Sequence, residues 1–161
     1  MSIKIKINKF MILIVLSLFL TSCSSDNPSL TLLVSGEQKS IDTDTIYISS
    51  ESVTFPAVVR SSGEKPVETE YTGVEIKNLL ESYDIDYDSY DKITFSASDG
   101  YRIILSMEEI NEPNNIYLTY ERDGKIMKSK KQGGNGPFQL VIRRDPFSQR
   151  WIKHVNEIII E

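Results

Sequence analysis

Cysteine and histidine are almost absent from this sequence: Cys23 and His154 are the only residues of their types among 161. A single thiol excludes an internal disulfide and a zinc site built from several cysteines. A single histidine excludes a multi-histidine metal site, and any Ser-His-Asp triad would have to use His154. We expect His154 to be an ordinary surface or strand residue where the last strand starts.

Long apolar segments are also scarce. One such segment, over residues 10–20, is eleven residues long. A helix that crosses a bilayer needs about 20 apolar residues, so this segment is too short to span a membrane. This segment follows three lysines and leads into Leu20-Thr21-Ser22-Cys23, an order typical of a secretory signal. The residues before Cys23 resemble the lipobox of bacterial lipoproteins; a signal peptide that ends near a cysteine by chance is the alternative. We therefore predict a signal peptide over residues 1–22, acylation of Cys23, and a flexible tether over residues 23–29. The protein would be lipid-anchored at the membrane, extracytoplasmic, in a bacterial cell envelope.

Acidic residues outnumber basic ones, and the excess grows once the signal peptide is removed. Without Lys4, Lys6 and Lys9 the chain has 15 Lys+Arg against 23 Asp+Glu, a net charge of −8. Residues 122–153 show the opposite balance, with nine basic and two acidic residues. An acidic domain with one basic segment argues against nucleic-acid binding and favours a localised anion site. A solvated basic surface is the alternative.

Short strand-like segments dominate the 139 residues after the signal peptide, enough for one compact domain over residues 30–161. The patterns predict hairpins that turn at Asp99-Gly100 and Asp123-Gly124. Further strands are predicted over residues 30–34, 53–60, 67–71, 116–121 and 138–142, and residues 45–48 also have strand composition. Many short strands and few helices favour the α+β class, as a single mixed, coil-rich domain.

Two capping boxes predict where helices begin. Thr72 with Glu75 would open a helix over residues 73–83, whose apolar positions Ile76, Leu79, Leu80 and Tyr83 share one face. Ser106 with Glu109 would open a shorter helical turn. The aspartates of residues 84–91 partly match a calcium loop, but Ser89 and Phe95 replace its required Gly and Glu, so a solvated acidic loop is favoured.

The basic segment contains the candidate site. Glycine amides and cationic side chains are the groups that bind a phosphate or another oxyanion. The candidate binding residues are Gly133, Gly134, Gly136, Arg143, Arg150 and Lys153. Because neighbours on a strand point to opposite faces, we expect at most one of Arg143 and Arg144 to face this site. An ion pair between Arg150 and Asp145 across their turn is the alternative role for Arg150.

Several motifs, in order, resemble the molybdopterin-binding domain of the sulfite oxidase family. They are Tyr71-Thr72-Gly73-Val74 before Leu79-Leu80, Ser98-Asp99-Gly100-Tyr101, Tyr120-Glu121 with Asp123-Gly124, Gly136-Pro137, and Arg150-Trp151-Ile152-Lys153-His154-Val155. Together they extend over nearly all of residues 30–161. The resemblance implies the same mixed α+β fold and implies that Arg150 and Lys153 help to hold a pterin and its phosphate.

Catalytic members of that family bind molybdenum through a cysteine thiolate, and acylation of Cys23 would leave the folded domain without a thiol. We therefore expect a domain that holds an anionic or pterin-like ligand, or a protein partner, without redox turnover. A molybdopterin-dependent oxidoreductase with an unusual ligand set is the alternative, because a cofactor can bind through its pterin alone. A surface used only for protein contact is a third hypothesis.

Overall fold

The computed structural model describes residues 29–161. The predicted signal peptide and the predicted acylation of Cys23 lie outside the described residues, as does most of the predicted tether. Ser29, the last residue of that tether, is already the first residue of a strand. Within residues 29–161 no helix has the length and apolar character needed to cross a bilayer.

Strands provide most of the regular structure in the described residues. They are β1 (Ser29–Val34), β2 (Glu37–Asp42), β3 (Ser52–Val59), β4 (Val67–Glu75), β5 (Lys92–Ala97), β6 (Arg102–Ser106), β7 (Ile116–Arg122), β8 (Lys125–Ile126), β9 (Gln139–Ile142) and β10 (Val155–Ile160). The helices are α1 (Thr43–Tyr47), α2 (Ile76–Ser82) and α3 (Met107–Asn111), with single 3₁₀ turns at Tyr87–Ser89, Lys130–Gln132 and Ser148–Arg150. This architecture agrees with the predicted α+β class, but strands rather than coil dominate it.

The strands form two sheets. The first has the order β2-β1-β10-β5-β6, in which β1 and β10 run parallel and the other neighbours run antiparallel. The second has the order β3-β4-β7-β8, and β9 also pairs with β7. One edge of β7 pairs with β4. Its other edge pairs with β9 over Ile116–Thr119 and with β8 over Glu121–Arg122.

A continuous hydrophobic core draws buried side chains from both sheets. Leu30 and Leu32 of β1 are fully buried, as the alternation of a half-covered strand requires. Residues 116–120 of β7 are all buried, so both faces of this strand are covered. In a sequence, a strand that is buried on both faces is typically a nearly continuous run of apolar residues.

Several predicted elements are confirmed. β5 and β6 form the antiparallel hairpin around Asp99-Gly100, and β7 and β8 form the one around Asp123-Gly124. Ser106 caps α3 through its side chain, which accepts a hydrogen bond from the Glu109 backbone N–H at 3.3 Å. The Glu109 carboxylate accepts a hydrogen bond from the Ser106 backbone N–H at 3.1 Å, which completes the predicted capping box.

Residues 45–48 have strand composition, but this segment lies in and just after α1. Asp42 precedes the helix, and its carboxylate accepts a hydrogen bond from the Asp44 backbone N–H at 3.1 Å. Ile46 is 1% exposed and anchors the helix in the core. The β-branched composition suggested a strand, but the aspartate cap and one buried isoleucine suffice for this single helical turn.

The predicted capping box at Thr72 and Glu75 is wrong. Both residues belong to β4, and the Thr72 hydroxyl lies 2.9 Å from that of Thr54 on β3. Pairing with β3 on one side and β7 on the other keeps this segment extended, so the helix begins only at Ile76. Its apolar face is as predicted: Ile76, Leu79 and Leu80 are buried, and Tyr83 is half-buried.

Candidate functional site

Arg150, the centre of the predicted anion site, is held by two carboxylates of the protein itself. Its Nη1 donates to Glu109 Oε1 at 2.7 Å, and its Nε donates to Asp145 Oδ2 at 2.9 Å. Its Nη2 donates to Asp145 Oδ1, so the pair with Asp145 is bidentate. The ion pair with Asp145, which was the alternative role for Arg150, is therefore present.

These contacts favour the charged form of both partners of the Arg150–Glu109 pair. The hydrogen bonds to Asp145 and then to Glu109 raise the pKa of Arg150 above its ordinary value. Burial raises the pKa of Glu109, but hydrogen bonds from Arg150 and from the Ser106 backbone outweigh it and leave that pKa below its ordinary value. An anion that approached Arg150 would compete with two carboxylates already in place.

The glycines of the predicted site allow close approach, but the approaching chain is the protein's own. A Cβ at Gly134 would lie 2.1 Å from the carbonyl oxygen of Lys128, and one at Gly136 would lie 2.4 Å from that of Met127. The Gly136 N–H donates to the Lys128 carbonyl at 2.8 Å, and the Gly134 N–H donates to the Ser129 carbonyl at 3.0 Å. Both amides are thus engaged within the loop.

The remaining members of the predicted site lie around this loop. Gly133 ends the 3₁₀ turn with a left-handed φ of +76°, and its N–H donates to the Lys130 carbonyl at 3.0 Å. Lys153 is exposed. His154, expected to be a surface or strand residue, is buried directly before β10, and its Nδ1 donates to the Gly136 carbonyl at 3.1 Å. This contact attaches the glycine loop to the start of β10.

The predicted site residues do not line one concavity. Gly136 lines a cavity of about 460 Å³ beside Lys130 and Lys131. Arg143 lines a different and larger cavity, and neither cavity is lined by Arg150 or Lys153. A joint anion site built from all six residues stays a prediction.

The larger cavity is a groove of about 1030 Å³, which we call the main groove. Residues of the β3–β4 hairpin, including Ala57 and Thr69, line one part of it. The turn after β9 and the indole of Trp151 line another part. The Trp151 ring meets the buried Tyr71 edge-on, with centroids 6.0 Å apart, and its Nε1 donates to the Ile142 carbonyl at 2.9 Å.

Arg143 lies in the main groove against two aromatic rings. Its guanidinium carbon is 4.9 Å from the ring centroid of Phe55 and 6.0 Å from that of Tyr117. Phe55 and Tyr117 contact each other, with centroids 4.4 Å apart. Cation–π attraction therefore holds the guanidinium. Its Nη1 also donates to the Asn114 carbonyl, at 3.4 Å.

Arg60 and Arg143 differ from the other arginines of residues 29–161, because neither has a carboxylate within salt-bridge distance. Both of them line the main groove. The four that do have such a partner within 4.0 Å are Arg102, Arg122, Arg144 and Arg150. The main groove thus presents two arginines that form no ion pair with a described carboxylate, although Glu68, Glu70, Asp123 and Asp145 also line it.

Arg143 and Arg144 both line the main groove, which is not the predicted site at the glycine loop; that at most one of them faces the predicted site stays a prediction. That expectation assumed that the strand continues through both residues. β9 ends at Ile142, so strand alternation does not apply. Arg144 pairs with Glu112 at 2.9 Å and donates to the Pro113 carbonyl at 3.2 Å, which leaves Arg143 as the more available of the two.

Sequence reasoning found Arg143 but missed Arg60, Phe55 and Tyr117. Arg60 follows β3, whereas the sequence predicts it as the last residue of a strand. Phe55 and Tyr117 lie on β3 and β7, and nothing in the local pattern of either strand indicates that the two rings meet. The available signal was the presence of buried aromatic positions on two strands, which is more often a sign of core packing.

The donor set does not fit a molybdenum centre. The described residues contain no cysteine, so they offer no thiolate to such a metal. Among residues 29–161, no group of three or more His, Cys, Asp or Glu side chains is placed to hold a metal ion. The acidic loop over residues 84–91 forms a 3₁₀ turn at Tyr87–Ser89, and its aspartates are exposed.

No protein-family profile matches the sequence, and the curated proteins include no match. Among solved structures, the chain is similar to the sulfane dehydrogenase SoxCD from Paracoccus pantotrophus, with a TM-score of 0.64 and 15% sequence identity. The likeness shows the fold. It covers 83% of this chain and 38% of that chain, so this chain spans well under half the length of its structural neighbour.

Proposed function

We propose that this protein is a lipid-anchored, extracytoplasmic binding domain with a sulfite-oxidase-like fold, which holds an anionic ligand without redox turnover. The observation that carries the proposal is the main groove with two arginines, Arg60 and Arg143, that form no ion pair with a described carboxylate. A groove of about 1030 Å³ has room for a small organic anion, since ligand sites in proteins measure about 300–1,000 Å³.

Arg143 is suited to bind an anion. Its guanidinium rests on Phe55 and Tyr117, so part of the entropy cost of ordering the side chain is met before any ligand arrives. A planar guanidinium binds carboxylate or phosphate oxygens through two parallel hydrogen bonds. Arg150 is less suited, because Asp145 and Glu109 already occupy its donors.

The absence of redox turnover is proposed from the chemistry of the side chains. A molybdenum centre is tuned by a soft thiolate, and Cys23, the one cysteine in the sequence, precedes the described domain. The envelope location is proposed from the lipoprotein-like residues before Cys23. A pterin-like ligand is compatible with the proposal as one kind of organic anion.

Binding of anions to wild type and to Arg143→Gln tests the proposal. We expect phosphate, sulfate, molybdate, a pterin or a small carboxylate to raise the melting temperature of the wild type, because a ligand that binds only the native state stabilises it. Loss of one charge-assisted contact of about 1.5–3 kcal/mol in Arg143→Gln should weaken that binding more than about tenfold. Arg102→Gln, an exposed arginine of the other sheet, is the matched control and should bind as the wild type does. A wild type that responds to none of these anions would refute the proposal.

The alternative function is a molybdopterin-dependent oxidoreductase with an unusual ligand set. The fold likeness to a sulfane dehydrogenase is the observation that favours it. Metal analysis separates the two functions: protein purified from a host that makes molybdopterin should contain no stoichiometric molybdenum if the domain is a binding protein. One molybdenum atom per chain would favour the oxidoreductase.

A further inference from the structure

Glu75 is an acidic residue whose burial the proposed binding function leaves unexplained. Only 8% of its surface is exposed, less than for any other Asp or Glu of residues 29–161. It stands directly before α2, but its side chain makes no capping hydrogen bond to that helix. Burying a carboxylate is costly unless it is hydrogen-bonded, so its actual partner is informative.

That partner is the turn between α3 and β7. Glu75 Oε1 accepts a hydrogen bond of 2.6 Å from the backbone N–H of Asn114. Asn114 has a left-handed φ of +57°, a conformation that needs support from its surroundings. Its side-chain oxygen accepts a hydrogen bond from the Tyr117 hydroxyl at 3.3 Å, so the turn is held from two sides.

The same turn holds Arg143. The carbonyl of Asn114 accepts from Arg143 Nη1 at 3.4 Å, and the carbonyl of Asn115 accepts from the Arg143 backbone N–H at 2.9 Å. Tyr117, which contacts Asn114 through its hydroxyl, also provides one of the two rings under the guanidinium. A continuous series of contacts thus leads from the buried carboxylate to the cation in the main groove.

We infer that Glu75 is a positioning residue for the anion site: it fixes the Asn114 turn, which in turn presents the Arg143 guanidinium on Phe55 and Tyr117. The expected effect of Glu75 on anion affinity rests on the proposed function. The placement of Arg143 does not, because it is measurable without any ligand. Glu75 itself does not contact the ligand. It acts through the backbone N–H of Asn114, so a neutral acceptor of the same shape should replace it.

The matched variants are Glu75→Ala, which removes the acceptor, and Glu75→Gln, which keeps a carbonyl oxygen at the same reach. Leu79→Ala is the control, because Leu79 is a buried residue of α2 whose truncation destabilises the protein without removing a contact to Asn114. All measurements are made well below the melting temperature of the least stable variant, so that each protein is folded.

The first measurement is the NMR signal of the Arg143 Nε–H, assigned by its absence in Arg143→Lys. The rings of Phe55 and Tyr117 should shift it away from the position of a solvent-exposed arginine. We expect Glu75→Ala to return it toward that position, while Glu75→Gln and Leu79→Ala retain the shifted signal. An unchanged signal in Glu75→Ala overturns the inference, whatever the ligand proves to be.

The second measurement is phosphate affinity by calorimetry. Glu75→Ala should raise the dissociation constant about tenfold, and Glu75→Gln and Leu79→Ala should leave it within about twofold. Loss of stability in Glu75→Ala with an unchanged dissociation constant would mean that Glu75 is structural only. If the wild type binds no anion, the proposed function fails, and the Arg143 signal alone still decides the positioning inference.

Discussion

Arg143 and Arg150 lie seven residues apart, and their partners decide which of them is available to a ligand. Arg150 meets Asp145 and Glu109, two acids with which it forms ion pairs. Arg143 meets two aromatic rings and a backbone carbonyl, which hold the guanidinium but do not neutralise it. The same residue type therefore has a structural role at one position and is open to binding at the other.

At Arg150 we predict that substitution by alanine lowers the free energy of unfolding by about 1–3 kcal/mol, because it leaves Asp145 without its cation. The Asp145 side chain is 9% exposed, so water replaces the lost partner poorly. Urea denaturation measures the change. Arg102→Ala serves for comparison and should cost a few tenths of a kcal/mol at most, since Arg102 is exposed and 4.0 Å from its partner. If Arg150→Ala keeps wild-type stability but loses anion binding, Arg150 belongs to the anion site after all.

Among the elements, α3 shows how one side chain connects a helix end to a distant turn. Glu109 completes the capping box with Ser106 and also accepts from Arg150 of the 3₁₀ turn before β10. Burial raises the pKa of Glu109, but the hydrogen bonds from Arg150 and Ser106 lower it more strongly, so the folded value lies below the ordinary 4.5. The cap and the ion pair therefore depend on an ionised Glu109.

We predict that Glu109 contributes to acid sensitivity. A group with a lowered pKa in the folded state stabilises the protein above the pKa of the unfolded state and loses that contribution as pH falls through the folded value. Melting temperatures measured from pH 6 to about pH 3 should therefore fall less steeply below pH 4.5 in Glu109→Gln than in the wild type. Glu108→Gln, an exposed neighbour in the same helix, should follow the wild-type curve. Parallel curves for the wild type and Glu109→Gln would contradict the prediction.

At the scale of the whole molecule, the described domain combines a continuous two-sheet core with a groove on the β3–β4 side. Its fold is similar to part of a much longer sulfane dehydrogenase. The proposed anchor would place this groove outside the cytoplasmic membrane, within reach of ligands in the envelope.

We predict that the anchor depends on Cys23. Cys23→Ser should yield a protein that is unprocessed or soluble, because acylation needs the thiol of that cysteine. Fractionation of cells that express the wild type or the variant, with immunoblotting for size, measures the outcome. A variant that stays with the membrane fraction at its mature size would show that the lipoprotein interpretation is wrong.

Local patterns in the sequence were enough for many of the elements. Turn residues such as Asp99-Gly100 and the Ser106–Glu109 box act through neighbouring backbone groups, so the sequence alone determines them. The buried face of α2 was predictable for the same reason, because its apolar residues recur with the helical period. The strand composition of residues 45–48 and the cap pattern at Thr72 were misleading, because the Asp42 cap with buried Ile46 decides the first segment and strand pairing decides the second.

Tertiary structure decided the rest. Thr72 and Glu75 satisfy a helix cap locally, but pairing of β4 with β3 and β7 supplies more hydrogen bonds than a cap does. Arg143, which follows β9, lies against Phe55 of β3 and Tyr117 of β7, residues up to 88 positions apart. The sequence by itself determined which residues are cationic or aromatic and which face of α2 is apolar. Only the packing of distant strands decided that Arg143 lies on two rings while Arg150 meets two acids, because contacts of that range follow from the shape of the whole core.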